Sequence, residues 1–223
     1  MYSLRGPIKP VKHLAINLGA PGDRRDAAGT IWLGYPRPGG SLVLQLPEIC
    51  RQGAPCHLHP DLVDIDGTDT PWLFTCGYRN LRQCVVPVAD PEDGTALYTV
   101  RLGFCDPDND RPGRRVFDIL IQGKKVAETF DVVAAAGGKN RAVIKEFNGI
   151  KADETIAIEL RPKGSARAPD QVPVIQTIEV VRERVLDVGM AAPDLLLNDV
   201  DRESSDTLRS ANNAQRRFAG RPD

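Results

Sequence analysis

The 223-residue chain has no surplus of either charge: 29 lysines and arginines stand against 30 aspartates and glutamates, a formal net charge of −1. Such a balance leaves no basic excess to neutralise phosphates, which argues against a nucleic-acid partner. No apolar run approaches the roughly 20 residues that span a bilayer, so membrane insertion is not expected. The opening MYSLRGPIKPVKHLAINLG lacks the uninterrupted apolar stretch of a signal peptide. Enzyme signatures are equally scarce. There is no nucleophile elbow, no Walker loop and no dinucleotide glycine motif, and the acidic residues form no recognisable glycosidase pair. AGGKN at 136–140 follows a strand but lacks the spacing of a phosphate cradle. The expectation is a chain that is not an enzyme. Aromatic residues make up only 5%, so any aromatic site must be built from few rings.

What is present is strand pattern and turns. A hydrophobic content of 41% suffices for a core, and 18 prolines with 20 glycines spread along the chain favour many turns and few long helices. The most informative stretch is RVFDILIQGKKVAETFDVVAAAGGKN, 115–140. It reads as two strands around a Gln122-Gly123 turn, then an aspartate followed by small residues and two glycines. Phe117, Ile119 and Ile121 share one face, with Val116, Asp118 and Leu120 on the other, which is the period of a half-buried strand. Just before it, Tyr98, Val100, Leu102 and Phe104 alternate in the same way. Further strands are predicted over 12–19 (Leu14, Ile16 and Leu18 on one face), SLVLQLP, one or two within 72–88, AVIKEF, ETIAIELR (Ile156, Ile158 and Leu160 inward) and VIQTIEVV. This succession implies an antiparallel sheet.

The blocks YTVRLGF, RVFDILIQGKKV, TFDVVAAAGG, AVIKEF, IAIELRP and IQTIEVV, in that order, resemble the malectin and malectin-like carbohydrate-binding domains. AINLGAPGDRRDAAGTIWLGYP resembles that family's N-terminal piece, and the likeness runs over roughly 12–183. It implies an all-β, antiparallel jelly-roll sandwich of the galactose-binding-domain type, a non-catalytic module that recognises glucose-type glycans or polysaccharides through its end loops. The version it most resembles is attached to large secreted bacterial proteins. Extracellular or periplasmic placement within a larger protein, beside a neighbouring domain, follows from the resemblance. The alternative is a structural or protein-interaction sandwich without a sugar site. Residues 1–11 then read as linker or the end of a preceding domain, 12–185 as the sandwich, and 186–223 as a polar tail.

Sugar sites stack aromatic rings on pyranose faces and flank them with carboxylates or amides. By the resemblance, Trp32 or Tyr35 in GTIWLGY, Phe74 or Tyr78 in WLFTCGYRN, and Asp131 in TFDVV occupy the sugar-binding positions. The competing roles are packing at the sandwich edge for the rings and capping of the AAAGG loop for Asp131. Exposure of the rings separates the two hypotheses. In CDPDNDRPG, Asp106, Asp108 and Asp110 alternate as in calcium loops; Arg111 and Phe117 break the EF-hand pattern, which leaves a structural calcium on carbonyls and one or two aspartates, or a solvated turn-rich loop. His57 and His59 begin a metal pair, with His13 the one further histidine and two surface histidines the plainer reading. Of five cysteines, Cys50 with Cys56 and Cys76 with Cys84 bracket short loops, and at least one disulfide is expected; Cys105, at a strand end, reads as a buried thiol.

Overall fold

A computed structural model describes residues 9–36, 49–164 and 167–186. SLVLQLP and the polar tail lie outside the described residues. The strands are β1 (His13–Leu18), β2 (Arg24–Arg25), β3 (Ile31–Tyr35), β4 (Cys50–Arg51), β5 (Ala54–His57), β6 (Cys76–Arg79), β7 (Gln83–Pro87), β8 (Ala96–Phe104), β9 (Val116–Ile121), β10 (Lys124–Asp131), β11 (Val143–Ala152), β12 (Thr155–Pro162), β13 (Val174–Ile175) and β14 (Thr177–Val185). A single turn of helix, α1 (Val132–Ala136), and two 3-10 turns, Pro71–Phe74 and Pro91–Asp93, complete them. One sheet has the order β11-β8-β14-β1-β3-β2, a second β10-β9-β12-β7-β4, and a small third β13-β6-β5.

The first two sheets face each other across one core. Tyr98, Val100, Leu102 and Phe104 of β8 are all fully buried, and so are Phe117 and Ile119 of β9. Phe104 meets Phe117 and Phe130 with ring centroids 5.8 and 5.0 Å apart, within the range of favourable tilted pairs. Ile156, Ile158 and Leu160 point into the same core, as their alternation predicts. The predicted hairpin is also present. Gln122 and Gly123 both take positive φ, 51° and 73°, which is what a two-residue turn compatible with strand twist requires. The run VIQTIEVV divides at Gln176, whose side chain turns back to bond both the N–H and the carbonyl of Cys105. Among the pairings of the described strands one departs from the antiparallel expectation: β1 runs parallel to β3.

β9 is more deeply buried than a half-buried strand, and Asp118 explains part of this. Its carboxylate, 7% exposed, accepts from Thr129 N–H at 2.8 Å and from Lys163 Nζ at 2.9 Å, with Lys125 Nζ 3.1 Å away. The Thr129 contact comes first among the causes that hold the Asp118 carboxyl well below the usual carboxylate range. It also holds the irregular part of β10, where Thr129 takes φ 53°. A carboxyl with a depressed folded pKa stabilises fully above its unfolded value of about 3.9 and loses that contribution as pH falls further. Asp118→Asn is therefore expected to lower the urea midpoint at pH 7 and to flatten the loss of stability below about pH 4 relative to the parent. Equal acid slopes in the two proteins would contradict this role.

Candidate functional site

The four rings placed by the resemblance lie inside the protein, two in each of two apolar clusters. Trp32 is 8% exposed, Tyr35 5%, Phe74 1% and Tyr78 8%. The cause is a second apolar layer over the six-stranded sheet. Trp32 and Tyr35 alternate on β3, so they face opposite sides. Tyr35 enters the main core, where its ring lies 5.9 Å from that of Tyr78. Trp32 faces outward from that core but is covered by Leu73, Phe74 and Ile65. Its indole N–H donates to Asp26 Oδ2 at 2.9 Å, and this bond is the leading reason the Asp26 carboxyl lies below its ordinary range. Phe74 approaches β8 over Gly103: a Cβ there would lie 3.2 Å from the Phe74 ring and overlap the Thr177 hydroxyl. Trp32, Tyr35, Phe74 and Tyr78 are thus packed and not displayed to solvent, the arrangement that favours the alternative of a sandwich without an aromatic sugar platform. Among the described residues no Phe, Trp or Tyr is exposed; Trp72 and Phe147 are half-buried, and the Trp72 ring is covered by the Arg24 guanidinium at 4.3 Å.

Asp131 acts as a cap. Its Oδ1 accepts from Ala134 N–H at 2.9 Å and starts α1, while Oδ2 accepts from Gly113 N–H at 2.5 Å. Both oxygens are occupied by backbone, tying the loop before β9 to the loop after β10.

The aspartate loop is closed by arginines, not gathered around a cation. Asp106 is fully buried and accepts from the N–H groups of Asp108 and Asn109 and from Asn109 Nδ2. The equally buried Arg115 places Nε 3.4 Å from Asp106 Oδ2 and Nη2 2.5 Å from Asp108 Oδ2, and Nη2 also donates to Pro169 O at 2.9 Å. Asp108 is bonded by Arg79 as well, and Asp110 projects into solvent 3.2 Å from Lys139. Desolvation pulls the Arg115 guanidinium below its ordinary pKa, while Asp106 and Asp108 favour its charged form. The carboxylates of Asp106 and Asp108 thus face guanidinium groups, an arrangement that supports the turn-rich loop of the two readings given for Asp106, Asp108 and Asp110. The histidines are dispersed: His57 meets Gly19 O, His59 lies near Asp61, and His13 pairs with Glu179. Among the described residues no group of three His, Cys, Asp or Glu side chains is placed to hold a metal.

The cysteines follow the sheets and not the loops. All five are unbonded. Neither local pair is brought together by register: Cys50 lies opposite Cys84 in β4–β7, whereas Cys56 lies opposite Gly77 in β5–β6. Cys105 is buried as expected, and desolvation first, then Asp106, pushes its thiol up to about 12.

A surface that sequence reading missed lies on the outer face of the five-stranded sheet. Arg51, Gln52, Arg82, Gln83, Glu159 and Arg161 line an open depression of about 660 Å³. Register builds it: Arg51 stands opposite Gln83, and Gln83 opposite Glu159. Arg161 follows two residues after Glu159 on the same face and bonds it at 2.7 Å. Three arginines against one glutamate give the depression a positive character, with guanidinium forks suited to carboxylates. The arginines lie in different strands and loops, so no local spacing in the sequence signalled them.

Comparison with known proteins agrees with this architecture. Residues 83–169 match the Malectin domain family. A probable LRR receptor-like serine/threonine-protein kinase, RFK1 of Arabidopsis thaliana, is 33% identical over 97 residues, which is 39% of this chain and 10% of that protein. Receptor-like protein 4 of the same plant is 32% identical over 85 residues, 37% of this chain and 13% of its own length. Among solved structures, the ANXUR2 extracellular domain of Arabidopsis thaliana superposes with a TM-score of 0.58 at 14% identity, covering 76% of this chain and 48% of that one. Bacteroides uniformis beta-glucuronidase 2 gives 0.57 at 19% identity, over 77% of this chain and 18% of the enzyme. A complex of the plant peptide RALF23 with FER and LLG2 gives 0.57 at 14% identity, over 76% of this chain and 48% of the matched one. The chain therefore spans about a tenth of these curated relatives and about half of the receptor ectodomains, and the structural likenesses speak for the fold.

Proposed function

Proceeding from a malectin-like β-sandwich, we propose that this chain is a non-catalytic recognition module of an extracellular protein. In our reading it contacts an acidic segment of a protein partner, and it does not stack glucose-type sugars on aromatic rings. The observation that carries this reading is the burial of Trp32, Tyr35, Phe74 and Tyr78, with no exposed aromatic ring among the described residues. A pyranose platform needs an accessible ring face, and core packing uses these rings instead. The arginine-lined depression supports the choice of partner, since planar guanidinium groups bind carboxylates in pairs of hydrogen bonds. The complex of FER with RALF23 and LLG2 supports protein contact as a mode open to this fold. Glycan binding by polar end-loop contacts is the second reading, favoured by the malectin match over 83–169.

Two titrations separate them. Maltose, nigerose or galactose is expected to leave the tryptophan fluorescence without a saturable change. A labelled glutamate-rich peptide is expected to bind at low salt and to weaken as ionic strength rises. The Arg51→Glu/Arg82→Glu double variant should lose about tenfold or more of that affinity. Saturable sugar binding with unaltered peptide binding in the double variant would reverse the assignment.

A further inference from the structure

Cys50 and Cys84 are directly opposite one another in the antiparallel pair β4–β7, with sulfurs 4.0 Å apart. The kind of pairing matters. Val85 N–H donates to Ile49 O at 2.8 Å, whereas Cys50 N–H turns away from β7 to the Tyr35 hydroxyl at 3.4 Å. Hydrogen-bonded and non-hydrogen-bonded pairs alternate along such a ladder, so Cys50–Cys84 is a non-hydrogen-bonded pair, with side chains close and Cα atoms about 4.5 Å apart. That separation lies inside the range disulfides adopt, about 4.4–6.8 Å, and rotation about the side chains brings the sulfurs to bonding distance. The other thiols are excluded by the same geometry. Cys56 is opposite Gly77, so Cys76, one residue away, points to the other face of that sheet. Cys105 is enclosed with Trp32 and Phe74 in the second apolar layer.

We propose that Cys50 and Cys84 are a disulfide-forming pair, closed by exchange with a low-molecular-weight disulfide in an oxidising compartment. Cys50 is half-buried and Cys84 fully buried, so Cys50 is the sulfur that reagents reach first. Its thiolate attacks the external disulfide and expels one thiolate. Cys84 then loses its proton, attacks the Cys50 sulfur and expels the second. Two protein thiols are oxidised and one external disulfide is reduced to two thiols. The bond joins the strand carrying Arg51 to the strand that begins beside Arg82, and so fixes the arginine-lined face. That consequence rests on the recognition reading above; the bond itself does not.

The test is peptide mapping of the full chain after incubation in an oxidised/reduced glutathione buffer, with free thiols trapped by N-ethylmaleimide. The expected result is a Cys50–Cys84 linked peptide, with Cys56, Cys76 and Cys105 alkylated. Because the bond would close a loop between residues 34 apart, reduction should lower the melting temperature of the oxidised protein by on the order of 10 °C. The Cys50→Ala/Cys84→Ala variant should show no response to reductant. Alkylation of all five thiols, or a bond between any other pair, would overturn the proposal. Mapping needs no ligand, so its failure would leave the recognition reading standing, and a failed peptide titration would leave the disulfide standing.

Discussion

Arg115→Met is expected to lower stability by about 3–5 kcal/mol, near the lower end of that range. The side chain is fully buried, and its charge is matched by Asp106, also fully buried, and by Asp108 at the loop surface. Removing the cation takes from the buried Asp106 carboxylate its direct ion-pair partner and leaves only the more distant Arg79 charge. Its backbone and Asn109 hydrogen bonds remain, and Asp108 keeps Arg79, which is why the lower end is favoured. For a chain of this size the melting temperature should fall by roughly 6–12 °C. Adding Asp106→Asn should return part of the loss, because neutralising the stranded carboxylate relieves the cost that the first substitution created. A loss below about 1 kcal/mol in urea unfolding, with nothing returned by the second change, would mean that the ion pairs do not close this loop.

Trp32→Ala should be comparably severe, at about 3–5 kcal/mol. The indole fills the layer formed by Leu73, Phe74, Ile65 and Ala142, and its N–H is held by Asp26. Truncation opens a cavity that the surrounding strands and the turn Pro71–Phe74 cannot close, and strips Asp26 of the bond that contributes most to its lowered pKa. A ring serving as a ligand platform would behave oppositely, since its removal would spare the fold and abolish binding. Equilibrium unfolding and peptide affinity measured on the same Trp32→Ala sample distinguish the two. The present account expects a large fall in the unfolding midpoint, and unchanged peptide affinity wherever the variant is still folded.

The strands of the main core were legible because period two survives wherever two sheets face each other. Tyr98, Val100, Leu102 and Phe104, then Phe117, Ile119 and Ile121, could be assigned to a common interior from alternation alone. Alternation says which residues share a face; it does not say what covers the other face. Trp32 shows the limit. Its side of β3 is covered by Leu73 and Phe74, some forty residues later in the chain, so a ring that looked available for sugar is packed. The aspartates of 106–110 show another. Their spacing suggested a cation, and the cations are there, but they are Arg115 nearby and Arg79 from β6. The cysteines show a third: spacing alone does not choose among their pairings, while strand register places Cys50 against Cys84. For Trp32, for Arg79 and for the cysteines the missing information was long-range pairing, which one sequence does not display.

The most direct test of the central claim is an amide and indole NMR titration of the domain with a glutamate-rich peptide at low salt. The account predicts shifts clustered at Arg51, Gln52, Arg82, Gln83 and Arg161, suppressed by salt, with the Trp32 indole signal unmoved. Shifts centred on Trp32, Tyr35 and Phe74, with the arginine face silent, would contradict it.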